Sequence, residues 1–209
     1  VVAVKEVNIV LAGVGGQGVV VAADILGVAA IKTGLNVRIR NVHGLAQREG
    51  SVYSHVRIGD GVFGPKIPPL KAHAIVGFEL SEAARHLHLL NPEFGILLLN
   101  GRLIYPLAHY TGHVAYPSKE EILSKILASV RAEAVHLIDA DALALRAGNP
   151  RAVNVVMLGA LSATGILPFS PELLVEAVRE RVPKFALEEN EKAFWLGYEE
   201  VSGGGTREA

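Results

Sequence analysis

The stretch Val7-Asn8-Ile9-Val10-Leu11-Ala12-Gly13-Val14-Gly15-Gly16-Gln17-Gly18-Val19-Val20 decides the fold. An apolar, partly β-branched run stops at a glycine cluster, and a helical pattern starts at once. That is a buried strand, a tight turn and a helix N-terminus. Gly13, Gly15 and Gly18 match G-x-G-x-x-G, with Gly16 and Gln17 between them. Glycine accepts positive φ and carries no Cβ to fend off a ligand. The first amides of a helix lack partners within it, so such a turn can receive a phosphate. A dinucleotide site would add an acidic residue at the end of the second strand. Here that strand is Leu35 to Arg40, followed by Asn41, with Arg38 and Arg40 the only charges. The cluster therefore reads either as an anion or partner contact or as a turn that only permits close strand–helix packing.

Outward from this stretch, the helix is predicted over Gly16 to Thr33, with Gly34 as its stop. His43 to Gly50 reads as a structured loop. Ser51 to Ile58 alternates, with Val52, Ser54, Val56 and Ile58 on one face and Ser51, Tyr53, His55 and Arg57 on the other. Gly59-Asp60-Gly61 is a turn signal, and Val62-Phe63 is the expected return strand of a hairpin. Strands are expected at Ala74–Phe78, Gly95–Asn100 and Val135–Ile138, with shorter candidates at Leu103–Tyr105 and His113–Tyr116. Helices are expected over Glu79–Leu90 and after a Ser118/Glu121 capping box. A short helix ending at Gly148 follows, with Asp139 and Asp141 at its start, placed to cap it or to bind a ligand. Then the pattern changes. Pro150 to Gly165 is apolar nearly all round, and its Gly159, Ala160, Ser162 and Ala163 invite a close backbone. Ser170-Pro171 opens another helix, and Leu187 to Val201 makes the last. The expected fold class is α/β: a Rossmann-like three-layer domain with a mostly parallel sheet, an antiparallel hairpin element and a helical C-terminal third. The expected extent is one unit over 1–201 with a flexible tail at 202–209.

The chain of 209 residues is 50% hydrophobic with a formal charge of -1, which leaves no electrostatic footprint for nucleic acid. It has no cysteine, hence no disulfide, thiolate nucleophile or cysteine-ligated cluster of its own. No basic-then-apolar leader pattern and no membrane-length apolar run is found, so a cytoplasmic protein without membrane contact is expected. Pairs such as His86/His88 and His109/His113 lack the convergent carboxylates of a metal site. No G-x-S-x-G elbow supports a serine nucleophile, so no catalytic residue is assigned. His43, Gln47, Arg48 and Ser51, with the polar face of the following strand, form the better constellation. Such a face is either the solvated outside of a hairpin or a surface for a ligand or partner.

The glycine turn, followed by Val42-His43-Gly44-Leu45-Ala46-Gln47-Arg48-Glu49-Gly50-Ser51-Val52-Tyr53-Ser54-His55-Val56-Arg57-Ile58-Gly59, resembles the small subunit of 2-oxoacid:ferredoxin oxidoreductases. Gly148 to Ala160 is also similar to that family, so the likeness runs along almost the whole chain. The His-Gly-x-x-Gln-Arg wording points within the family to the indolepyruvate branch. One departure is Glu49, where the family commonly has glycine. The resemblance implies oxidative decarboxylation of aryl 2-oxoacids to acyl-CoA, with electrons passed to ferredoxin. It implies a larger alpha subunit holding thiamine diphosphate, its magnesium and 4Fe-4S clusters. For this chain it implies docking on that subunit. Gly13, Gly15, Gly16, Gln17 and Gly18 would receive a coenzyme A phosphate or press on the partner. His43, Gln47, Arg48 and Ser51 would wall the active-site entrance or face the partner. Self-association of the isolated chain is compatible with all of this. Two readings from other classes stand beside it: a stand-alone nucleotide-binding oxidoreductase, and a scaffold whose glycine turn serves packing and whose apolar helix serves an interface.

Overall fold

The computed structural model describes residues 6–44, 50–110 and 115–203. Six strands make one mixed sheet: β1 (Val7–Val14), β2 (Val37–His43), β3 (Ser51–Ile58), β4 (Ala74–Gly77), β5 (Ile96–Asn100) and β6 (Val135–Ile138). Their spatial order is β2-β3-β1-β4-β5-β6. β1, β4, β5 and β6 run parallel, and β3 is antiparallel to both β1 and β2. The helices are α1 (Val19–Lys32), α2 (Leu80–Arg85), α3 (Leu107–Tyr110), α4 (Lys119–Ser129), α5 (Ala140–Ala147), α6 (Val153–Ala163), α7 (Pro171–Arg181) and α8 (Leu187–Ser202).

β1, β4 and β5 are covered on both faces, which is why they are largely apolar along their length. Ile9, Leu11, Val76 and Leu98 pack into a large core with α1, α6 and α7. Val10, Ile75, Leu97 and Leu99 pack into a smaller one with α2 and α4. The result is three layers, as the alternation of strands and helices predicts. α1 carries small residues on its buried face, Ala22, Ala23, Ala29 and Ala30, so it lies close to the sheet. It ends in a Schellman motif: Gly34 N–H donates to Ile31 O at 2.9 Å and Leu35 N–H to Ala30 O at 3.2 Å.

Several expectations change in detail. The hairpin partner of β3 is the preceding strand β2, not Val62-Phe63, which is no strand. Pro65, Pro68 and Pro69 cannot sustain a ladder, whereas β2 offers seven extended residues in register. Leu103–Tyr105 forms no strand, nor do Ala115 and Tyr116, while His113 and Val114 lie outside the described residues. The helix expected over Glu79–Leu90 splits into α2 and a 3-10 turn at Leu87–Leu89. Asp139 does cap α5, accepting from Ala142 N–H at 2.9 Å, but Asp141 has a different task, given below.

The apolar helix α6 is spent inside the chain. Its Gly159 meets α8 so closely that a Cβ would overlap the Phe194 carbonyl, and a Cβ on Gly197 would overlap the Val156 carbonyl. The two helices cross backbone on backbone, and α6 is buried along ten of its eleven residues. Among the described residues no helix is long and apolar enough to cross a membrane.

Candidate functional site

The glycine turn stands at the carboxyl end of β1. Gly16 and Gly18 have φ of 95° and 76°, left-handed values that favour glycine. Gly18 is the N-cap of α1, without a side-chain cap and with no acid in the first turn. The N–H groups of Val19, Val20 and Val21 thus precede the first helical bond, Ala22 N–H to Gly18 O at 2.9 Å. A Cβ at Gly16 would meet nothing within 4 Å, so the tip of the turn faces open space. A Cβ at Gly18 would stand 2.7 Å from Asn154 Nδ2, so that glycine lets α6 approach.

Gln17 turns inward. Its Oε1 accepts from Val14 N–H at 2.8 Å, and its Nε2 donates to Phe78 O at 3.0 Å. The amide fits because Gly13 has no side chain: a Cβ there would lie 2.6 Å from Gln17 Oε1. Gln17 therefore ties the end of β1 to the end of β4. The glutamine amide is thus spent within the fold, and what the turn leaves outward is backbone.

The second motif lies beside the first. Val14 pairs with Ser51 in the β1–β3 ladder, and Gly15 N–H donates to Gly50 O at 2.9 Å. His43, exposed, ends β2 opposite Val52. Gln47 and Arg48 lie outside the described residues, between the fixed points Gly44 and Gly50. The turn, His43 and Ser51 thus share one end of the sheet. Ser51 Oγ donates to Glu82 Oε2 at 2.6 Å, which fastens that end to α2.

The polar face of β3 is not a solvated face. The segment after β3 folds back over it, and the chain satisfies it from within. Arg57 donates to Gly64 O at 2.7 Å and to Asn8 Oδ1 at 3.0 Å, and pairs with Glu6. His55, 4% exposed, accepts from Ile67 N–H at 3.0 Å through Nδ1. Burial, with the positive fields of His86, Arg40, Lys66 and His88, pushes its imidazole down to about 4. Tyr53 lies between His55 and His86, its ring 4.5 Å from that of His86. His86 is likewise pushed down to about 4, by burial first and then by His88 and Arg85.

A hydrogen-bonded chain that sequence reasoning missed continues along the same end of the sheet. Phe78 O also accepts from Asn100 Nδ2 at 3.3 Å. Asn100 Nδ2 donates to Asp141 Oδ2 at 2.8 Å, and Asp141 pairs with Arg102 at 2.6 Å. Glu79, fully buried, accepts from Glu82 N–H at 2.8 Å, Ser81 Oγ at 2.7 Å and Ile104 N–H at 3.1 Å. The only signal for Asn100 was a polar residue closing a buried strand. Beyond it opens a cleft of about 550 Å³ lined by Asn100, Arg102, Lys119, Asp139, Asp141 and Glu200. Between β1 and β4 the chain reverses its winding: α1, after β1, covers one face, and α2, after β4, covers the other. In open α/β sheets such a switch point, at the carboxyl ends of the strands, is where ligands bind. Among the described residues no group of three or more His, Asp or Glu side chains gathers to hold a metal ion.

The family model described as "Pyruvate ferredoxin/flavodoxin oxidoreductase" matches residues 8–200. The chain belongs to the pyruvate ferredoxin/flavodoxin oxidoreductase family. It is a subunit of a 2-oxoacid:ferredoxin oxidoreductase. It is similar to the indolepyruvate oxidoreductase subunit IorB of Pyrococcus horikoshii, with 44% identity over 92% of this chain and 95% of that one. The IorB subunit of Archaeoglobus fulgidus is 38% identical over 95% of this chain and 97% of its own. Among solved structures, the gamma subunit of a keto/oxoacid ferredoxin oxidoreductase from Geobacter sulfurreducens aligns with a TM-score of 0.67 and 26% identity. That alignment covers 95% of this chain and 99% of the gamma subunit. In this member of the pyruvate ferredoxin/flavodoxin oxidoreductase family, then, the glycine turn, His43 and Ser51 sit at the same end of the sheet.

Proposed function

We propose that this chain is the small subunit of an indolepyruvate ferredoxin oxidoreductase, an enzyme that oxidatively decarboxylates aryl 2-oxoacids to acyl-CoA and passes the electrons to ferredoxin. The choice of substrate rests on 38–44% identity to four IorB subunits, against 28–29% to two pyruvate synthase PorC subunits. The site assignment rests on one contact, Gly15 N–H to Gly50 O, which joins the two motifs into a single edge. Thiamine diphosphate, its magnesium and 4Fe-4S clusters belong in this reading to a larger alpha subunit. A chain without cysteine has no thiolate to ligate such a cluster. The cofactors supply the electron chemistry, and this chain supplies position. Backbone N–H groups of Gly16, Gly18 and the start of α1 border a phosphate of coenzyme A, on a turn that Gln17 braces, that Gly13 and Gly18 allow to close and that Gly15 ties to Gly50. His43, Gln47, Arg48 and Ser51 wall the entrance and face the partner. Residues 1–201 act as one such unit in the cytoplasm.

Purification of the tagged chain from its native cell is expected to bring down a larger, cysteine-rich, brown partner. The pair is expected to act on indolepyruvate only with coenzyme A present. Turnover by the isolated chain, or a colourless preparation without a partner, overturns the reading. Gly16→Asn suits a left-handed position with open space around it. It is expected to leave assembly intact and to raise KM for coenzyme A several-fold. Arg48→Ala is expected to raise KM for coenzyme A or oxoacid in an intact complex. The inward set of Gln17 favours a second reading, in which the turn only braces the sheet. Unchanged kinetics in both variants, with no heat in a coenzyme A titration, select it.

A further inference from the structure

β2 ends the sheet, and among the described residues no strand pairs with its outer edge. At its two ends Gly59 N–H donates to Asn36 O at 2.9 Å and Gly44 N–H to Ser51 O at 2.8 Å. Bonded pairs alternate in an antiparallel ladder. Arg38, Arg40 and Val42 therefore turn their backbone groups toward β3. Val37, Ile39, Asn41 and His43 turn theirs outward, so four N–H and C=O pairs line the outer edge, the Val37 carbonyl accepting from Arg38 Nη1 at 2.9 Å. Its two sides differ. On one, Arg38 and Arg40 are exposed, with no ion pair among the described residues. On the other, Ile39 reaches under α1, where its Cδ1 lies 2.8 Å from the place of a Cβ on Gly27. Positions 20, 24, 27 and 31 make one helical stripe. Val20, Asp24 and Ile31 thus stand along β2, and Ile31 is 66% exposed.

A second copy of this chain fits the edge poorly. Of the central antiparallel registers, two set Arg40 against Arg40 or Arg38 against Arg40, and the third, centred on Asn41, makes the two Arg40 side chains diagonal neighbours, so like charges repel in each. We propose that the outer edge of β2 receives an extended segment of the larger subunit as a seventh strand. That segment carries acidic residues on the arginine side and apolar residues on the α1 side. Main-chain bonds give such strand addition its hold, and alternate side chains give its specificity. The proposal rests on the subunit reading above.

Hydrogen exchange, measured residue by residue on the isolated full chain and on its complex with the larger subunit, tests it. The amides of Val37, Ile39, Asn41 and His43 are expected to exchange at least tenfold more slowly in the complex. Those of Arg38, Arg40 and Val42, already bonded to β3, are expected to change little. Asn41→Pro removes one outward N–H and leaves the β3 ladder whole, since proline is tolerated on an edge strand with its nitrogen facing outward. It is expected to weaken assembly at least tenfold. Asn41→Ala, which loses only the bond from Ser54 Oγ, is expected to assemble normally. The double variant R38E/R40E is expected to weaken assembly as Asn41→Pro does, at an unchanged unfolding midpoint. A complex whose β2 amides stay unprotected, or folded variants that assemble normally, overturns the proposal alone. Protection that grows with the concentration of the isolated chain overturns it in favour of self-pairing. Absence of any larger partner overturns the subunit reading, and the seventh strand with it.

Discussion

Gln17 shows how one side chain can hold a turn that looks, by sequence, like a ligand cradle. Its amide satisfies Val14 N–H and Phe78 O at once. Gln17→Leu keeps the volume, strands Val14 N–H and leaves Phe78 O with only the longer bond from Asn100. A buried group left unpaired costs about 1–3 kcal/mol. The urea midpoint is expected to fall accordingly, and a variant as stable as the parent refutes the bracing role. His55 acts through its proton. Its Nδ1 must be bare to accept from Ile67 N–H, and burial with neighbouring positive charge holds its folded-state value near 4. The unfolded value is about 6.5. Between those limits the unfolded chain binds a proton that the folded chain refuses, so stability falls as pH drops from about 6.5 toward 4. His86 contributes in the same sense. His55→Asn keeps an acceptor without the titration. Its urea midpoint between pH 7 and 4.5 is expected to decline less steeply than the parent's, and the His55→Asn/His86→Asn double variant less steeply still. Equal slopes contradict this. Alternation placed Ser51, Tyr53, His55 and Arg57 on one face, but that Ile67 and Gly64 come back to cover them depends on contacts 7 to 12 residues away.

At the scale of elements, α6 and α8 pack backbone against backbone. Gly159 and Gly197 each face a carbonyl of the other helix with no room for a methyl group. Overpacking usually costs about 1–3 kcal/mol, and here the obstacle is backbone that cannot rotate away. Gly159→Ala is expected to cost at least that much, read as a lowered thermal midpoint or loss of soluble protein. Gly64→Ala, where a Cβ meets nothing within 4 Å, is expected to stay close to the parent. Equal midpoints for the two would show that the helices are free to separate. The small-residue stripe of α6 was legible in sequence as a surface for a close backbone. That the backbone is α8 of the same chain, and not a partner's, was not. The same holds for β3: its strand character follows from alternation, whereas its place between β2 and β1 depends on which neighbour offers a ladder in register.

For the whole molecule, the sheet order sets what the chain can do. With β1 and β4 adjacent and α1 and α2 on opposite faces, the carboxyl ends of those two strands are the switch point of the sheet. The glycine turn and Ser51 share that end, 36 residues apart in the chain and paired through Val14. Variants at both places are therefore expected to disturb one ligand or one partner, not two. In the assembled enzyme, Gly16→Asn and Arg48→Ala are expected to raise KM less in combination than the product of their separate effects, if both border one group. Strict multiplication, measured on complexes of equal composition, would assign them to separate contacts. By itself the sequence determined most of the strands and helices, the three-layer α/β class and the family. Apolar runs, helical spacing, capping residues and two ordered motifs are local in the chain, and local patterns survive without coordinates. Only the tertiary structure decided that Gln17 is a brace, that β3's polar face is covered, that α6 is internal, and that among the described residues no strand pairs with the outer edge of β2. Each of these depends on which distant residue arrives to take up a hydrogen bond or fill a space, and short-range spacing carries no record of that.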